Sequence, residues 1–143
     1  MNNFSIYGSS YCMYTLLTKQ LFINHIIPFN NNIIENNNFE LIKNETKKKL
    51  SDKIININYL QTYNTIPIII YHDIENNKSL FIGGYDNIKF IIDNIKNIIK
   101  KKDNDFNKII EYFGNKYESK DETDKTIINM INQLTNIIQN NKL

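Results

Sequence analysis

The sequence predicts an α/β fold in which a mixed sheet is flanked by helices and followed by a C-terminal helical extension. Short runs rich in Ile, Phe and Tyr, bounded by Gly, Pro or Asn, are typical of buried strands. Longer segments repeat Ile or Leu with the spacing of an amphipathic helix. The two kinds of segment alternate along the chain, and this order favours a sheet covered by helices.

The first predicted strand is residues 4–8, which alternate in polarity and stop at a glycine and two serines. A helix is expected to start near Cys12, with Ser9 or Ser10 as its cap. Its inward face is expected to consist of Leu16, Leu17 and Leu21.

Residues 25–29 predict a short second strand, which Pro28 confines to an edge or a bulge. The asparagine clusters at 30–32 and 36–38 indicate loops. Residues 39–53 predict a helix. Its inward residues are expected to be Phe39, Ile42, Thr46 and Leu50, with Lys47, Lys48 and Lys49 mostly in solvent.

The second half of the chain predicts a hairpin and a long helix. Residues 66–71 and 79–82 are typical of buried strands, and residues 73–78 have the composition of a hairpin loop. The helix is expected to open at Asp86 or Asn87. Its apolar stripe consists of Ile88, Ile91, Ile92, Ile95, Ile98 and Ile99.

A helical extension over 103–143 is predicted to follow a first domain of residues 1–102. Its two apolar stripes consist of Phe106, Ile109, Ile110 and Phe113, and of Ile127, Ile128, Ile131, Leu134, Ile137 and Ile138. Residues 118–124 between them predict a loop. The stripes must bury against the domain, against each other or against a partner.

Composition excludes several classes of protein. One cysteine excludes an internal disulfide and a multi-cysteine metal site, and two histidines give no usual zinc constellation. The net charge of +2, without arginine, argues against a nucleic-acid partner. Residues 1–7 lack a targeting pattern, and the longest apolar runs are shorter than the roughly 20 residues of a membrane span.

The expected location is therefore the reducing cytoplasm. The chain has no Ala, Val, Arg or Trp and is dominated by Asn, Ile and Lys, a bias typical of A/T-rich genomes such as those of large DNA viruses. For a viral chain, the host cytoplasm or the virion is expected instead.

Cys12 is the candidate reactive group. It follows a predicted strand at the predicted start of a helix. Unpaired backbone N–H groups and the positive end of the helix dipole favour the thiolate there. The alternative is a lone cysteine buried as a small hydrophobe.

Two further motifs accompany this cysteine. Pro67, in Thr65-Ile66-Pro67, opens an apolar strand and marks a strand start, an edge or a bulge, and a cis bond would turn the preceding backbone toward a ligand. Gly83 and Gly84 permit close approach to the backbone, and Asp86 is expected to cap the next helix. Alone, the second motif is also typical of a simple turn.

In this order, the three motifs resemble those of the glutaredoxins, a family with the thioredoxin fold. The family has Cys-Pro-Tyr-Cys or Cys-Gly-Phe-Ser, then Thr-Val-Pro with a cis proline, then Gly-Gly-x-Asp-Asp before its last helix. Here they stand as Cys12-Met13-Tyr14-Thr15, Thr65-Ile66-Pro67 and Gly83-Gly84-Tyr85-Asp86-Asn87. The resemblance covers residues 4–99 and implies a thioredoxin-like, glutaredoxin-type fold.

The resemblance also implies a glutathione site, in which Cys12 would attack a glutathione mixed disulfide. Tyr14 would line the groove, and the backbone of Ile66 would pair with the cysteinyl part of glutathione. The γ-glutamyl end would lie at Gly84, Tyr85 and Asp86, with Asp86 near the α-amino group. The implied glutathione-binding residues are Tyr14, Thr65, Ile66, Pro67, Gly83, Gly84, Tyr85 and Asp86.

Departures from the family pattern specify the chemistry further. Thr15 replaces the second cysteine, so the resemblance implies a monothiol cycle resolved by a second glutathione. Met13 matches neither the dithiol nor the iron–sulfur signature. The lysine common a few residues before the nucleophile is absent, and Asn64 stands where a basic residue is common. The glycyl carboxylate therefore loses cationic anchors, for which Gln61 or a lysine from elsewhere could compensate. Asn87 replaces an aspartate and removes a charge.

Three hypotheses result. The first is a glutathione-dependent thiol–disulfide oxidoreductase with a monothiol mechanism, whose co-substrate is glutathione and whose partners are glutathionylated or disulfide-containing proteins. The second is a binding module in which two copies bridge a [2Fe–2S] cluster through Cys12 and glutathione. The third is a non-catalytic adaptor that keeps the thioredoxin fold. No nucleic-acid or membrane partner is expected.

Overall fold

The structure is a computed structural model that describes residues 2–102, 105–114 and 120–141. Strands and helices alternate through most of this length, as the sequence predicts. In chain order the elements are β1 (Phe4–Ser9), α1 (Met13–Asn24), β2 (Asn30–Ile34), α2 (Phe39–Leu50), α3 (Ile57–Thr62), β3 (Ile68–Asp73), β4 (Lys78–Gly83), α4 (Tyr85–Lys101), α5 (Asn107–Tyr112) and α6 (Lys120–Asn140).

The strands form one mixed sheet in the order β2-β1-β3-β4. β1 runs parallel to β2 and antiparallel to β3, with Tyr7 opposite Ile68. β3 and β4 form the predicted antiparallel hairpin, with a register irregularity between Ile69 and Ile70. This strand order and these directions confirm the mixed sheet with flanking helices and agree with a thioredoxin-like fold.

Helices cover both faces of the sheet, because successive residues of a strand point to opposite sides. In β3, Ile69 belongs to the large cluster formed with α1, α4, α5 and α6. Its neighbours Ile68 and Ile70 belong to a smaller cluster formed with α3 and the end of α2. The sheet is therefore the middle layer of a three-layer structure.

The second strand lies later in the chain than the sequence predicts. Residues 25–29 form no strand, and β2 instead includes the asparagines 30–32 that were expected to be a loop. The side chain of Asn30 donates to Ser5 Oγ at 3.1 Å and accepts from the N–H of Asn2 at 3.3 Å. These amide contacts hold a polar segment at the sheet edge, whereas the expected loop at 36–38 is confirmed.

Helix α1 turns a different face inward than predicted. Leu16 and Leu17 are 46% and 39% exposed, whereas the third predicted residue, Leu21, is partly buried against the large cluster. The buried residues are Thr15, Thr18 and Phe22. The physical reason is close packing, since a Cβ added at Gly8 would lie 2.4 Å from Thr15 Oγ1. The first turn of this helix therefore packs closely against β1 at Gly8.

Helix α2 confirms part of its predicted face. Asn38 caps it by accepting from the N–H of Leu41 at 3.1 Å, and Ile42, Thr46 and Leu50 are buried. Phe39, expected to point inward, is 38% exposed, and Lys43 is buried instead. The short helix α3 has no counterpart in the prediction, because six residues are too few to show helical periodicity.

Helix α4 carries the predicted isoleucine stripe, with Ile88, Ile91, Ile92 and Ile95 buried. Helix α6 begins at Lys120, so the predicted loop is wrong for residues 120–124, and residues 118 and 119 lie outside the described ranges. The buried Thr123 and Thr126 extend the inward face of α6 toward its N-terminus, which apolar periodicity alone does not reveal.

The predicted extension packs into the same cluster as the preceding elements. Ile131 and Leu134 of α6 share that cluster with Ile91 of α4 and Leu80 of β4. The division of the chain at residue 102 stays a prediction. Within the described ranges, no helix is both long enough and apolar enough to cross a membrane.

Candidate functional site

The three sequence motifs meet because of the strand directions. The last residues of β1 lie opposite the start of β3, since Tyr7 pairs with Ile68. The end of β4 lies at the same place, since Gly83 pairs with Ile69. Segments that follow β1, precede β3 and follow β4 therefore share one end of the sheet, where Cys12, Pro67 and Gly84 are found.

Cys12 is the N-cap residue of α1, so the predicted caps Ser9 and Ser10 are wrong. Ser9 Oγ instead accepts from the N–H of Tyr11 at 3.1 Å, and Cys12 makes no side-chain cap bond. Its Sγ lies 3.9 Å from the carbonyl oxygen of Ile66. The residue is 7% exposed and packs with Ile42 and Ile66.

The peptide bond between Ile66 and Pro67 is cis, as the sequence analysis anticipated. Thr65 Oγ1 donates to the Ile66 carbonyl oxygen at 3.3 Å, and the Tyr63 hydroxyl donates to the Pro67 carbonyl oxygen at 3.1 Å. Within the described residues, the backbone N–H of Ile66 donates to no acceptor. An extended ligand lying along this segment therefore has a backbone donor beside Cys12.

The paired glycines allow the backbone to pack against two side chains. Gly83 has φ of +127°, a conformation that favours glycine. A Cβ at Gly84 would lie 2.1 Å from the Tyr63 hydroxyl oxygen. Gly84, not the predicted Asp86, is the N-cap of α4, and Asp86 lies in the first turn, where a carboxylate is favourable.

Two tyrosine rings border the same end of the sheet. Tyr14 is 55% exposed, and its ring centroid lies 6.2 Å from that of Tyr85. The first turns of α1 and α4 are therefore adjacent. The predicted residues from all three motifs come together, although Cys12 is more buried than the prediction of a reactive thiol suggests.

Tyr63 contacts both the proline motif and the glycine motif, and the sequence did not identify it as a site residue. Burial raises the pKa of its hydroxyl above the ordinary value, and electrostatic repulsion by the neighbouring ionisable groups of Tyr59, Cys12, Asp86 and Tyr112 raises it further. The hydroxyl therefore stays protonated at neutral pH and remains a donor. No local pattern marks this residue: Pro67 is only four positions away, but Gly84 is brought to it by the sheet.

Lys43 provides a cation beside the site, where the sequence predicted compensation by Gln61 or by a lysine from elsewhere. It is 5% exposed, and its Nζ donates to Asn64 Oδ1 at 3.1 Å and to Glu40 Oε1 at 2.8 Å. Asn64 immediately precedes the cis-proline motif. Lys47, one turn further on, donates to the Gln61 carbonyl oxygen at 3.0 Å. Burial, followed by repulsion from Lys43, lowers the pKa of Lys47.

The described residues contain no group of three or more His, Cys, Asp or Glu that could hold a metal ion. A [2Fe–2S] cluster bridged between two copies would use Cys12 Sγ as its protein ligand, and this residue is 7% exposed.

Comparison with known proteins finds a solved glutaredoxin. No protein-family model matches the sequence, and no curated protein matches it. The chain is similar to glutaredoxin 1 from Francisella tularensis, crystallised in complex with cacodylate, at 24% identity and a TM-score of 0.46. The similarity covers 66% of this chain and 95% of that one. The assignment of the fold rests on this chain's own strand order and directions.

Proposed function

We propose that this chain is a glutathione-dependent thiol–disulfide oxidoreductase that uses Cys12 in a monothiol mechanism. The observation that carries the proposal is the position of Cys12 Sγ, 3.9 Å from the carbonyl oxygen of Ile66 at the end of the sheet where Gly84 also lies. A nucleophilic sulfur beside an unpaired backbone donor is suited to an extended, peptide-like disulfide such as a glutathione mixed disulfide.

The reaction takes two exchanges. The Cys12 thiolate attacks the glutathione sulfur of a mixed disulfide, forming a Cys12–glutathione disulfide and releasing the substrate as a thiolate, which takes up a proton. The thiolate of a second glutathione then attacks the glutathione sulfur bound to Cys12. This step forms glutathione disulfide and restores the Cys12 thiolate.

The monothiol form of the cycle is supported by Thr15. This residue stands three positions after Cys12, is fully buried, and accepts from the N–H of Ser9 at 3.4 Å through its hydroxyl oxygen. Cys12 is the single cysteine of the chain, so the thiol that resolves its disulfide must come from another molecule.

The glycyl carboxylate of glutathione is assigned to Lys43 in this proposal. The lysine Nζ contacts Asn64, two residues before Ile66, and its neighbour Ile42 packs against Cys12 and Ile66. A cation on α2 thus lies beside the segment along which the ligand would extend. It takes the place of the basic residues that the cysteine and proline motifs lack.

The proposal is tested by reduction of a glutathionylated peptide by glutathione, with and without the protein. We expect catalysis by the wild type and background rates for Cys12→Ser, because serine is not a thiolate nucleophile. Met13→Leu is the matched control, since Met13 is the neighbouring residue and is 70% exposed. Equal rates for Cys12→Ser and the wild type would contradict the proposal.

The burial of Cys12 favours a second candidate, the non-catalytic adaptor. In that function the thiol is a small hydrophobe that fills the space between Ile42 and Ile66. Alkylation of the native chain by iodoacetamide separates the two functions. An oxidoreductase reacts in the folded state, and glutathione disulfide protects it, whereas the adaptor reacts only after unfolding in urea.

A further inference from the structure

The C-terminal segment reaches the proposed glutathione site through Tyr112, the last residue of α5. Its hydroxyl oxygen accepts a hydrogen bond from Asn87 Nδ2, in the first turn of α4. Its ring stacks on Phe90, with centroids 4.5 Å apart and planes at 22°. A residue outside the region that resembles glutaredoxins therefore contacts the helix that begins at the paired glycines.

Asn87 is bound at its other end by the glycine motif. Its Oδ1 accepts from the N–H of Gly84 at 2.8 Å. A Cβ at Gly83 would lie 2.4 Å from the same oxygen, so the amide lies directly against the backbone of the turn. Asn87, which in the family comparison only removes a charge, therefore forms hydrogen bonds through both its amide oxygen and its amide nitrogen.

The orientation of this amide depends on its hydroxyl partners. Tyr112 is the partner from the C-terminal segment, and Tyr59 of α3 also forms a side-chain hydrogen bond with Asn87. If the amide turned over, its NH₂ group would face the N–H of Gly84, placing two donors against each other. The Tyr112 oxygen accepts from Nδ2 and so stabilises the orientation in which Oδ1 faces Gly84. Gly84 in turn packs against the Tyr63 hydroxyl, which donates to Pro67.

We propose that Tyr112 is a positioning residue for this site, through which the C-terminal segment sets the affinity for glutathione. The inference rests on the proposed function. Tyr112 acts through Asn87 on the Gly83–Gly84 turn, where the γ-glutamyl end of the ligand would lie. It has no part in the chemistry at Cys12, so it affects binding and not the sulfur exchange.

Tyr112→Phe tests the inference, because it removes the hydroxyl and keeps the ring that stacks on Phe90. We expect the KM for glutathione to rise about fivefold, as for the loss of one neutral hydrogen bond, while kcat and the rate of Cys12 alkylation stay unchanged. Tyr71→Phe is the matched control. The Tyr71 hydroxyl donates to Gln133 of α6 at 3.3 Å, so this variant also loses one bond to the C-terminal segment.

A second measurement does not depend on glutathione. We expect hydrogen exchange of the Gly84 amide, followed by ¹⁵N NMR in the full chain, to quicken about fivefold in Tyr112→Phe and not in Tyr71→Phe. In an Asn87→Leu background, Tyr112→Phe should have no further effect, because the connection is already broken. A wild type without glutathione activity would refute the proposed function and leave this measurement intact. Unchanged Gly84 exchange in Tyr112→Phe would overturn the inference.

Discussion

The two faces of the sheet differ in how they are built. The face covered by α1, α4, α5 and α6 is a large, almost wholly apolar cluster. The face covered by α2 and α3 has a smaller apolar cluster and a polar group formed by Ser5, His72 and Ser79. His72 Nε2 lies 2.8 Å from Ser5 Oγ, and His72 Nδ1 lies 3.0 Å from Ser79 Oγ.

This difference separates stability from chemistry. The large face concentrates buried area, which is the main favourable contribution to folding. The smaller face places α2 beside Cys12, through Ile42 and Lys43, and so contributes directly to the site. We therefore expect loss of buried apolar groups on the large face to unfold the chain, and loss of the Lys43 charge on the smaller face to alter ligand binding with the fold retained.

The largest effect is expected for removal of residues 103–143 from the large face. Each large buried side chain is worth about 1.5–3 kcal/mol, and domains are stable by only about 5–15 kcal/mol in total. Because Ile127, Ile131, Leu134 and Ile138 all join the cluster, the shortened chain should aggregate or lose cooperative unfolding, as measured by circular dichroism and size-exclusion chromatography.

Leu134→Asp tests the same face with a single change and should also abolish the folded state, because it buries a charge. Asn132→Asp, at an exposed position on the same helix, is its control and should be tolerated. A soluble, active fragment of residues 1–102 would instead make the C-terminal segment a separate arm.

On the smaller face, Lys43→Met should weaken glutathione binding while the chain stays folded. Methionine keeps the buried stem, and the partner Glu40 is 71% exposed and returns to water. Loss of one charge-assisted hydrogen bond, worth about 1.5–3 kcal/mol, predicts a KM for glutathione roughly 10–100-fold higher. Lys48→Met makes the same charge change at an exposed position of α2 and should leave KM unchanged.

The smallest effect is expected from the titration of His72. Burial, and next the positive charge of Lys53, lower the pKa of His72 from its ordinary 6.5. The unfolded chain therefore binds this proton more readily. The contribution to stability is complete above 6.5 and is lost as the pH falls through 6.5 toward the lower pKa of the folded state.

Urea unfolding at about pH 7.5 and about pH 5.5 measures this dependence. His72→Gln should reduce the difference in unfolding free energy between the two pH values, because glutamine does not titrate. The same difference in His72→Gln as in the wild type would show that this polar group does not couple to stability.

The large face was predictable to the extent that its helices show apolar periodicity. The spacing of the isoleucines in α4 predicted both the helix and its buried face, because a helix buried on one side needs apolar residues every three or four positions. In α1 the same reasoning selected exposed leucines, since close contact between Gly8 and Thr15 sets the orientation of the helix. The strand at residues 30–34 was missed because an edge strand held by amide contacts needs few apolar residues.

The site was predictable as motifs but not as contacts. Cys12, Pro67 and Gly84 were identified from local chain chemistry and from the family resemblance, and the strand directions bring them together. Tyr63, Lys43 and Tyr112 were not identified, because each contacts a partner more than twenty positions away in the sequence: Gly84, Asn64 and Asn87, respectively. No spacing rule relates such residues to the motif that they support.

The sequence by itself determined the order of the strands and of the helices other than α3, the positions of the three motifs and the presence of a single thiol. These properties depend on local propensity, periodicity and residue chemistry, which a linear chain displays directly. Only the tertiary structure decided that Cys12 is recessed, that Lys43 is the cation beside Asn64, and that α5 contacts Asn87. Burial and hydrogen bonding between distant segments arise when the sheet and its helices pack, and the sequence contains no local record of them.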